Sequence, residues 1–234
     1  MADRISKIIS AHGLASRREA ERMISRGDVT VNGEVAILGQ SADVSCDVIA
    51  VNGVELKAKD APVYIMLNKP CGYLSTARDE RGRKTILELV SDVGVRVYPV
   101  GRLDLDSEGL ILLTNDGEFA NNVAHPSGEK VKTYRVEVVG DISEAYKQLG
   151  APIEIDGYTV SAVNVKILSH KGDRGVLSIS IAEGRNRQIR KMCSVCRLKV
   201  FSLRRVSIGE LELGALESGK WRYLTDSEVA SLGG

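Results

Sequence analysis

Arg102 and Asp104 stand two residues apart in Gly101-Arg102-Leu103-Asp104-Leu105-Asp106-Ser107-Glu108-Gly109. Side chains alternate along an extended backbone, so this pair shares a face while Leu103 points the other way and can anchor the loop. A fixed cation then sits beside a carboxylate, and a positioned carboxylate can act as nucleophile or as general base. Asp104 and Asp106 share a face by the same rule. Glycoside hydrolysis uses such a pair of carboxylates, but with aromatics at 4% the chain is poor in rings to stack on sugars. A charged loop with no chemical duty is the plainer alternative, because charged residues crowd ordinary surfaces.

Two apolar segments must position this loop. Val97-Tyr98-Pro99-Val100 leads into it, and Leu110-Ile111-Leu112-Leu113 follows before the turn Asn115-Asp116-Gly117. Buried strands on either side give charged loop residues a rigid support. The second group able to do chemistry is Cys193-Ser194-Val195-Cys196. A zinc site needs a second pair of ligands at suitable spacing. Cys46 and Cys71 are scattered, and the histidines are His12, His125 and His170. Positions three apart share a helix face, so two buried structural thiols are expected there.

The chain has 234 residues, 43% hydrophobic and 27% charged, with a net charge of +1. That suits one large domain or a small one plus a medium one. With so balanced a charge, a nucleic-acid surface must come from local clusters of Lys and Arg. Scarce aromatics argue against reading single strands mainly by stacking. No apolar run is long enough to span a membrane, and four cysteines give no disulfide framework at this length. A reduced, cytoplasmic setting is the expectation.

Ile5, Ile8 and Ile9 predict a helix that stops at Gly13. Ser16-Arg17-Arg18-Glu19 reads as a capping box opening a second helix that ends at Gly27. Val29–Val31 with Asn32-Gly33, and Val48–Val51 with Asn52-Gly53 and Val54-Glu55-Leu56, predict hairpins. The polar side of the two helices carries Arg4, Lys7, Arg17, Arg18, Arg22 and Arg26, partly offset by Asp3, Glu19 and Glu21. Lys57 to Pro62 reads as a linker. Beyond it the pattern predicts a strand from Val63 to Leu67, a turn over Asn68–Tyr73 and a short helix over Thr85–Val90. A further short helix follows over Gly117–Asn122. His125-Pro126-Ser127 then leads to an alternating strand over Lys130–Val138, a helix over Ile142–Leu149, strands over Val160–Val165 and Val176–Ile181, and a helix opened by the stretch Glu183–Met192. Between Gly184 and Gly209 lie Arg185, Arg187, Arg190, Lys191, Arg197, Lys199, Arg204 and Arg205 without one Asp or Glu, which reads as a phosphate-facing surface.

The run Gly101-Arg102-Leu103-Asp104 with Asp106-Ser107-Glu108-Gly109-Leu110 and Leu113-Thr114-Asn115-Asp116-Gly117 resembles the signature of rRNA pseudouridine synthases. Members often carry Thr where Ser107 stands. Asn68-Lys69-Pro70-Cys71-Gly72 resembles the opening of that domain, Lys132-Thr133-Tyr134-Arg135-Val136 its second motif, and Glu183-Gly184-Arg185-Asn186-Arg187-Gln188-Ile189-Arg190 its third. Asn186-Arg187 sides with the large-subunit branch. The N-terminal segment with Ser16-Arg17-Arg18-Glu19-Ala20 and Gly27-Asp28-Val29-Thr30-Val31-Asn32-Gly33 is similar to the αL-type RNA-binding motif.

The resemblance implies an α+β protein: a helix–helix–hairpin RNA-binding module over residues 1–59, and a synthase domain over 63–234 with a mixed, largely antiparallel sheet. It implies isomerisation of a uridine in ribosomal RNA, large-subunit RNA or its precursor particle first and small-subunit RNA second. Asp104 would act on sugar or base, by attack or by deprotonation. Arg190 would be the cation that keeps it ionised. Tyr134 would line the uridine pocket, stacking on the uracil or taking the C5 proton, and Arg102 would enter the space left by the flipped base. RNA binding would fall to Arg4, Lys7, Arg17, Arg18, Arg22 and Arg26 of the module and to Arg185, Arg187 and Lys191. No metal and no cofactor is required, and a monomer is expected. A non-catalytic RNA-binding assembly factor is the rival of another class: it would keep both basic surfaces but need not keep Asp104, Tyr134 and Arg190 together.

Overall fold

The computed structural model describes residues 2–56, 60–77, 79–124 and 130–234. The chain divides into two compact units, one formed by residues 1–63 with 93–97 and 115–117, the other by the remainder. Residues 57–59 of the linker expected over Lys57 to Pro62, and the His125-Pro126-Ser127 approach, lie outside the described residues.

In the first unit, β1 (Asp3–Arg4) pairs with β4 (Ser41–Ala42). Helices α1 (Ile5–Ala11) and α2 (Arg17–Ser25) precede a sheet of β2 (Val29–Val31), β3 (Glu34–Val35), β5 (Ile49–Val51) and β6 (Val54–Glu55), ordered β3-β2-β5-β6. Ile5, Ile8, Ile9, Ala20 and Ile24 pack against Val29, Val31, Ile49 and Val51, so the helical period and the strand alternation converge on one core. Asn32 (φ 53°) with Gly33 (φ 87°), and Asn52 (φ 51°) with Gly53 (φ 75°), both turn with positive φ, as tight hairpins demand. Ser16 caps α2 by accepting from the Glu19 amide at 3.2 Å. The expected reciprocal half of the box is not made; the Glu19 carboxylate faces Arg22 at 3.2 Å and Arg26 at 3.6 Å instead.

The second unit is built on a nine-stranded sheet. In chain order it contains β7 (Tyr64–Lys69), a 3-10 helix (Ile86–Val93), β8 (Tyr98–Val100), β9 (Glu108–Thr114), α3 (Gly117–Ala124) and β10 (Lys132–Val139). There follow α4 (Ile142–Leu149), β11 (Ile153–Ile155), β12 (Tyr158–Val160), β13 (Asn164–Lys171), β14 (Arg174–Ile181) and α5 (Gln188–Val195). The unit closes with β15 (Lys199–Ile208), β16 (Leu211–Glu212), β17 (Trp221–Tyr223) and α6 (Asp226–Ser231). The sheet runs β13-β14-β10-β15-β9-β7-β17, with β16 on β15 and β8 on β9, while β11 and β12 pair separately. All its pairings are antiparallel except β9 with β15. The fold is α+β with a mixed, largely antiparallel sheet.

The apolar runs of β7 and β9 are covered on both faces, and Ile65, Met66, Leu67 and Leu110 to Leu113 are fully buried. Met66, Leu110 and Leu112 pack with Phe119, Val123, Ile208 and Leu232. β10 instead alternates, burying Tyr134, Val136 and Val138. Three expectations need correction. β7 continues through Asn68 and Lys69, where the sequence pattern predicts a turn, because β9 supplies partners out to Gly109. The strand expected over Val160–Val165 is two strands separated by residues 161–163. The short helix expected over Thr85–Val90 is a 3-10 helix running to Val93 with a kink at Val90. In α6 a full capping box closes between Thr225 and Glu228, and Arg222 grips the same carboxylate with both terminal nitrogens, holding the Glu228 pKa down at about 2.

Candidate active site

The loop between β8 and β9 is tied down from beneath before any of its charges is considered. Leu103 is buried, and its backbone is gripped both ways by Ser75, whose Oγ donates to the Leu103 carbonyl at 2.8 Å and accepts from its amide at 3.1 Å. Lys69 ends β7 fully buried, at 0% exposure. Its Nζ donates to the carbonyl oxygens of Pro70 (3.0 Å), Asp104 (3.1 Å) and Ser107 (2.8 Å), closing the loop around one ammonium. Burial pulls the Lys69 pKa below its ordinary value, against the opposing pull of nearby acidic groups. Nothing in the local sequence pattern distinguishes this lysine from a surface one, so neither Lys69 nor Ser75 was identified from sequence as a support.

The loop presents two carboxylates to α5. The Arg187 guanidinium holds Asp106 with two hydrogen bonds of 3.2 Å and stands 3.6 Å from the Asp104 Oδ2. Arg190 donates to the Asp106 carbonyl at 2.7 Å and lies 3.3 Å from its carboxylate. The cation expected beside Asp104 was Arg190; the one found there is Arg187, and Arg190 serves Asp106. The displacement has a local cause. Arg187 adopts a left-handed backbone (φ 52°) at the N-cap of α5, which sets its side chain apart from the helical series on which Arg190 lies. Burial raises the Asp106 pKa, but the Arg187 hydrogen bond and the charges of Arg190 and Arg187 outweigh it, leaving it below the ordinary carboxylate value.

A cleft of about 560 Å³ opens on this loop. Arg102, Leu103, Asp104, Tyr134, Arg185 and Arg187 line it, whereas Arg190 and Lys191 do not. Tyr134 projects from β10 and is 8% exposed. Ile181, Ile189, Leu203 and Ile208 supply apolar walls. A cleft of this volume with apolar walls and a few polar groups has the character of a small-molecule pocket. Two further lining residues were counted in the sequence only as charges or strand members. Lys132 sits two residues before Tyr134 on the same strand face; burial and then the charge of Arg205 lower its pKa. Arg205 is 5% exposed and donates from Nε to the Leu110 carbonyl at 2.7 Å.

The basic segment after Gly184 is less bare than its sequence suggests, because carboxylates arrive from elsewhere. Besides the two arginines on the loop, Arg185 pairs with Glu183 at 2.7 Å and lies 4.1 Å over the Tyr158 ring, and Lys191 pairs with Asp156. In the first unit Arg4, Lys7, Arg17, Arg18, Arg22 and Arg26 are all exposed. Lys7 pairs with Asp3 at 2.7 Å and Arg26 with Asp28 at 2.8 Å, but no ion pair among the described residues uses Arg17 or Arg18. Arg4 and Arg17 line a shallow groove of about 330 Å³. Cys193 and Cys196 are both buried free thiols, and burial pushes the Cys193 pKa up to about 12. No cluster of metal-ligating side chains and no membrane-crossing helix occurs among the described residues.

Comparison with known proteins agrees with this architecture. The RNA pseudouridylate synthase family model matches residues 63–195, and the S4 domain model matches residues 3–37. An RNA pseudouridine synthase of Aquifex aeolicus is 41% identical over 99% of this chain and 94% of its own length. The ribosomal large subunit pseudouridine synthase B of Bacillus subtilis is also 41% identical, over 98% of this chain and 95% of its own. The dual-specificity RNA pseudouridine synthase RluF of Salmonella typhi is 39% identical, over 98% and 78%. Among solved structures, a pseudouridylate synthase superposes with a TM-score of 0.66 at 28% identity, over 98% of this chain and 99% of that one. With both its modules matched and relatives aligned along nearly its whole length, the chain belongs to the RNA pseudouridylate synthase family and is an enzyme of that class.

Proposed function

We propose that this enzyme converts a uridine of large-subunit ribosomal RNA to pseudouridine, with Asp104 as the acting carboxylate. The observation that carries the reading is the position of Asp104: it lines a cleft together with Tyr134, on a loop whose carbonyls close around Lys69. The target uridine leaves its stack, at a cost of a few kcal/mol, and its base enters the cleft. Tyr134 stacks on the ring. Arg102, exposed at the rim, takes the place of the flipped nucleotide. Asp104 acts on the ribose as the glycosidic bond breaks, with the Arg187 guanidinium 3.6 Å from that carboxylate. The ring turns and rejoins the sugar through C5. No atom arrives from outside, so the isomerisation needs neither oxidant nor group donor.

The first unit serves as the RNA anchor, with Arg4, Lys7, Arg17, Arg18, Arg22 and Arg26 toward phosphate, and residues from Val63 onward carry the chemistry. Structured RNA is held largely through shape and phosphate contacts, which suits an exposed basic helix face. The large subunit is favoured by the relative named for it in Bacillus subtilis, which aligns along nearly the full chain. The protein acts as a monomer in the cytoplasm. Mapping pseudouridines in both ribosomal RNAs from cells with and without the gene tests this reading. One large-subunit position should lose its pseudouridine and regain it with the wild-type gene but not with Asp104→Asn. A lost site in the small subunit, or none, overturns the substrate assignment.

A further inference from the structure

Arg205 is a cation without a carboxylate partner among the described residues, set at the floor of the cleft. It lines the cavity at 5% exposure, and its Nη2 is buried without a hydrogen-bond partner among the described residues. Burying a guanidinium without an anion is costly, so a fold that keeps one in its site has a use for its free donors. Its placement is specified in detail. Thr133 pairs with Ser207 and Tyr134 with Arg205, leaving Val206 as an extra residue in β15. That bulge brings Leu203, Arg205 and Ile208 to the same cleft wall. From the other side Gly109 (φ 103°) approaches so closely that a Cβ there would stand 2.2 Å from the Arg205 carbonyl oxygen. Only glycine lets β9 come near enough for Leu110 to hold the Arg205 Nε.

The other arginines of the cleft divide the labour by depth. Arg102, Arg185 and Arg187 are more exposed and lie toward the rim, where Arg185 pairs with Glu183 and Arg187 with Asp106. Arg205 lies too deep for a backbone phosphate and beside Tyr134 across the β10–β15 pair. A ring stacked on Tyr134 therefore turns its edge toward the guanidinium. We propose that Arg205 is a catalytic residue that donates hydrogen bonds to a carbonyl oxygen of the target uracil and stabilises the negative charge the ring acquires as its glycosidic bond breaks. This inference rests on the function proposed above and adds the group that receives the developing charge.

The electron count is simple. Heterolysis of C1′–N1 sends the bonding pair to the ring, and the charge spreads from N1 over O2 and O4. Arg205 keeps its protons throughout. When C5 of the turned ring bonds to C1′, the pair enters that bond; C5 then loses its proton, N1 gains one, and the ring is neutral again. A fixed donor aimed at charge that develops only during reaction lowers the barrier more than it strengthens binding.

The test is single-turnover kinetics of the full-length protein on two RNAs, one with uridine and one with 5-fluorouridine at the target position. Fluorine withdraws electrons and stabilises the departing ring by itself. Arg205→Met should slow loss of the N-glycosidic linkage about 100-fold on uridine, but no more than about tenfold on 5-fluorouridine, with RNA affinity within about twofold of wild type. Arg205→Lys keeps the charge and should recover part of the uridine rate; if the methionine variant does not fold, the lysine variant's ratio between the two RNAs decides. Equal losses on both substrates, or weakened affinity at an unchanged rate, overturns the proposal. A wild-type protein that modifies neither ribosomal RNA overturns the proposed function itself, an outcome readable before any variant is made.

Discussion

The two basic regions of this protein hold their charges in opposite ways. On the N-terminal helices the partners are near in sequence and wet: Arg22 reaches Glu19 three residues back with 73% of its side chain exposed. At the cleft the partners are distant and partly enclosed: Arg187 reaches Asp106 across 81 residues, and Arg190 reaches its carbonyl across 84 with a side chain 13% exposed. Exposed local pairs are worth about 0–1 kcal/mol, so phosphate can replace them at little cost. The distant pairs instead lock the Asp104 loop to α5. The pairs of one region are local and open to solvent; those of the other join segments far apart in the chain.

The contrast breaks most completely at Asp104. Asp104→Asn should lower pseudouridine formation by at least about 1000-fold while RNA affinity stays within about threefold, since only the acting charge is removed. Rates at saturating RNA beside a binding titration separate the two. Next come the loop's cations. Arg187→Met should cost between about 10- and 100-fold in rate at saturating RNA, Arg190→Met less, and Arg222→Met almost nothing, because Arg222 answers Glu228 far from the cleft. A larger loss for Arg190 than for Arg187 would mean that Asp104 changes partner when RNA is bound.

Replacing Arg4, Arg17 and Arg18 together by Ala sharpens the other side of the comparison. Turnover at saturation should hold, while the log–log salt dependence of binding flattens by roughly two to three, at about 0.7–0.9 for each phosphate no longer neutralised. An unchanged slope would show that this face is merely solvated. The smallest effect lies at α6. The folded pKa of Glu228, about 2, is below its ordinary value, so the Arg222 pair contributes stability that is fully present above about pH 4.5 and disappears as pH falls toward 2. The Tm gap between wild type and Glu228→Gln should therefore close over that interval; a gap that persists at pH 2 would assign the stabilisation to packing.

Local rules carried the sequence reading where structure is local. The Asn-Gly hairpins, the isoleucine stripe of α1, the limits of α4 and the alternation of β10 all follow from spacing within a few residues. The Gly-Arg-Leu-Asp loop and Tyr134 could be singled out, and they do share a cleft. What escaped depends on partners that no spacing reveals. β15 reads in sequence only as a run of positive charge because its Arg204 and Arg205 interrupt the apolar signal, although Arg205 is as buried as nearby Leu203. Lys69 looked like a turn residue because three carbonyl groups from two loops, invisible in sequence, make its burial tolerable. Which arginine stands nearest Asp104 is hidden for the same reason: Arg187, left-handed at the start of α5, lies 3.6 Å from it, while Arg190 meets Asp106.

The parallel pairing of β9 with β15 also bears on when this enzyme can come into being during its own synthesis. Leu110 and Arg205 meet across 95 residues of chain, and Tyr134 needs β15 beside it. Contacts so distant in sequence carry a large loop-closure cost and belong to slow, late steps of folding. A nascent chain that has extruded its basic helices, the Asp104 loop and even α5 still has a cleft with no floor. The basic face of the first unit is thus complete long before the cleft, and a chain halted before Lys199 has that face but not the cleft wall that Leu203, Arg205 and Ile208 provide.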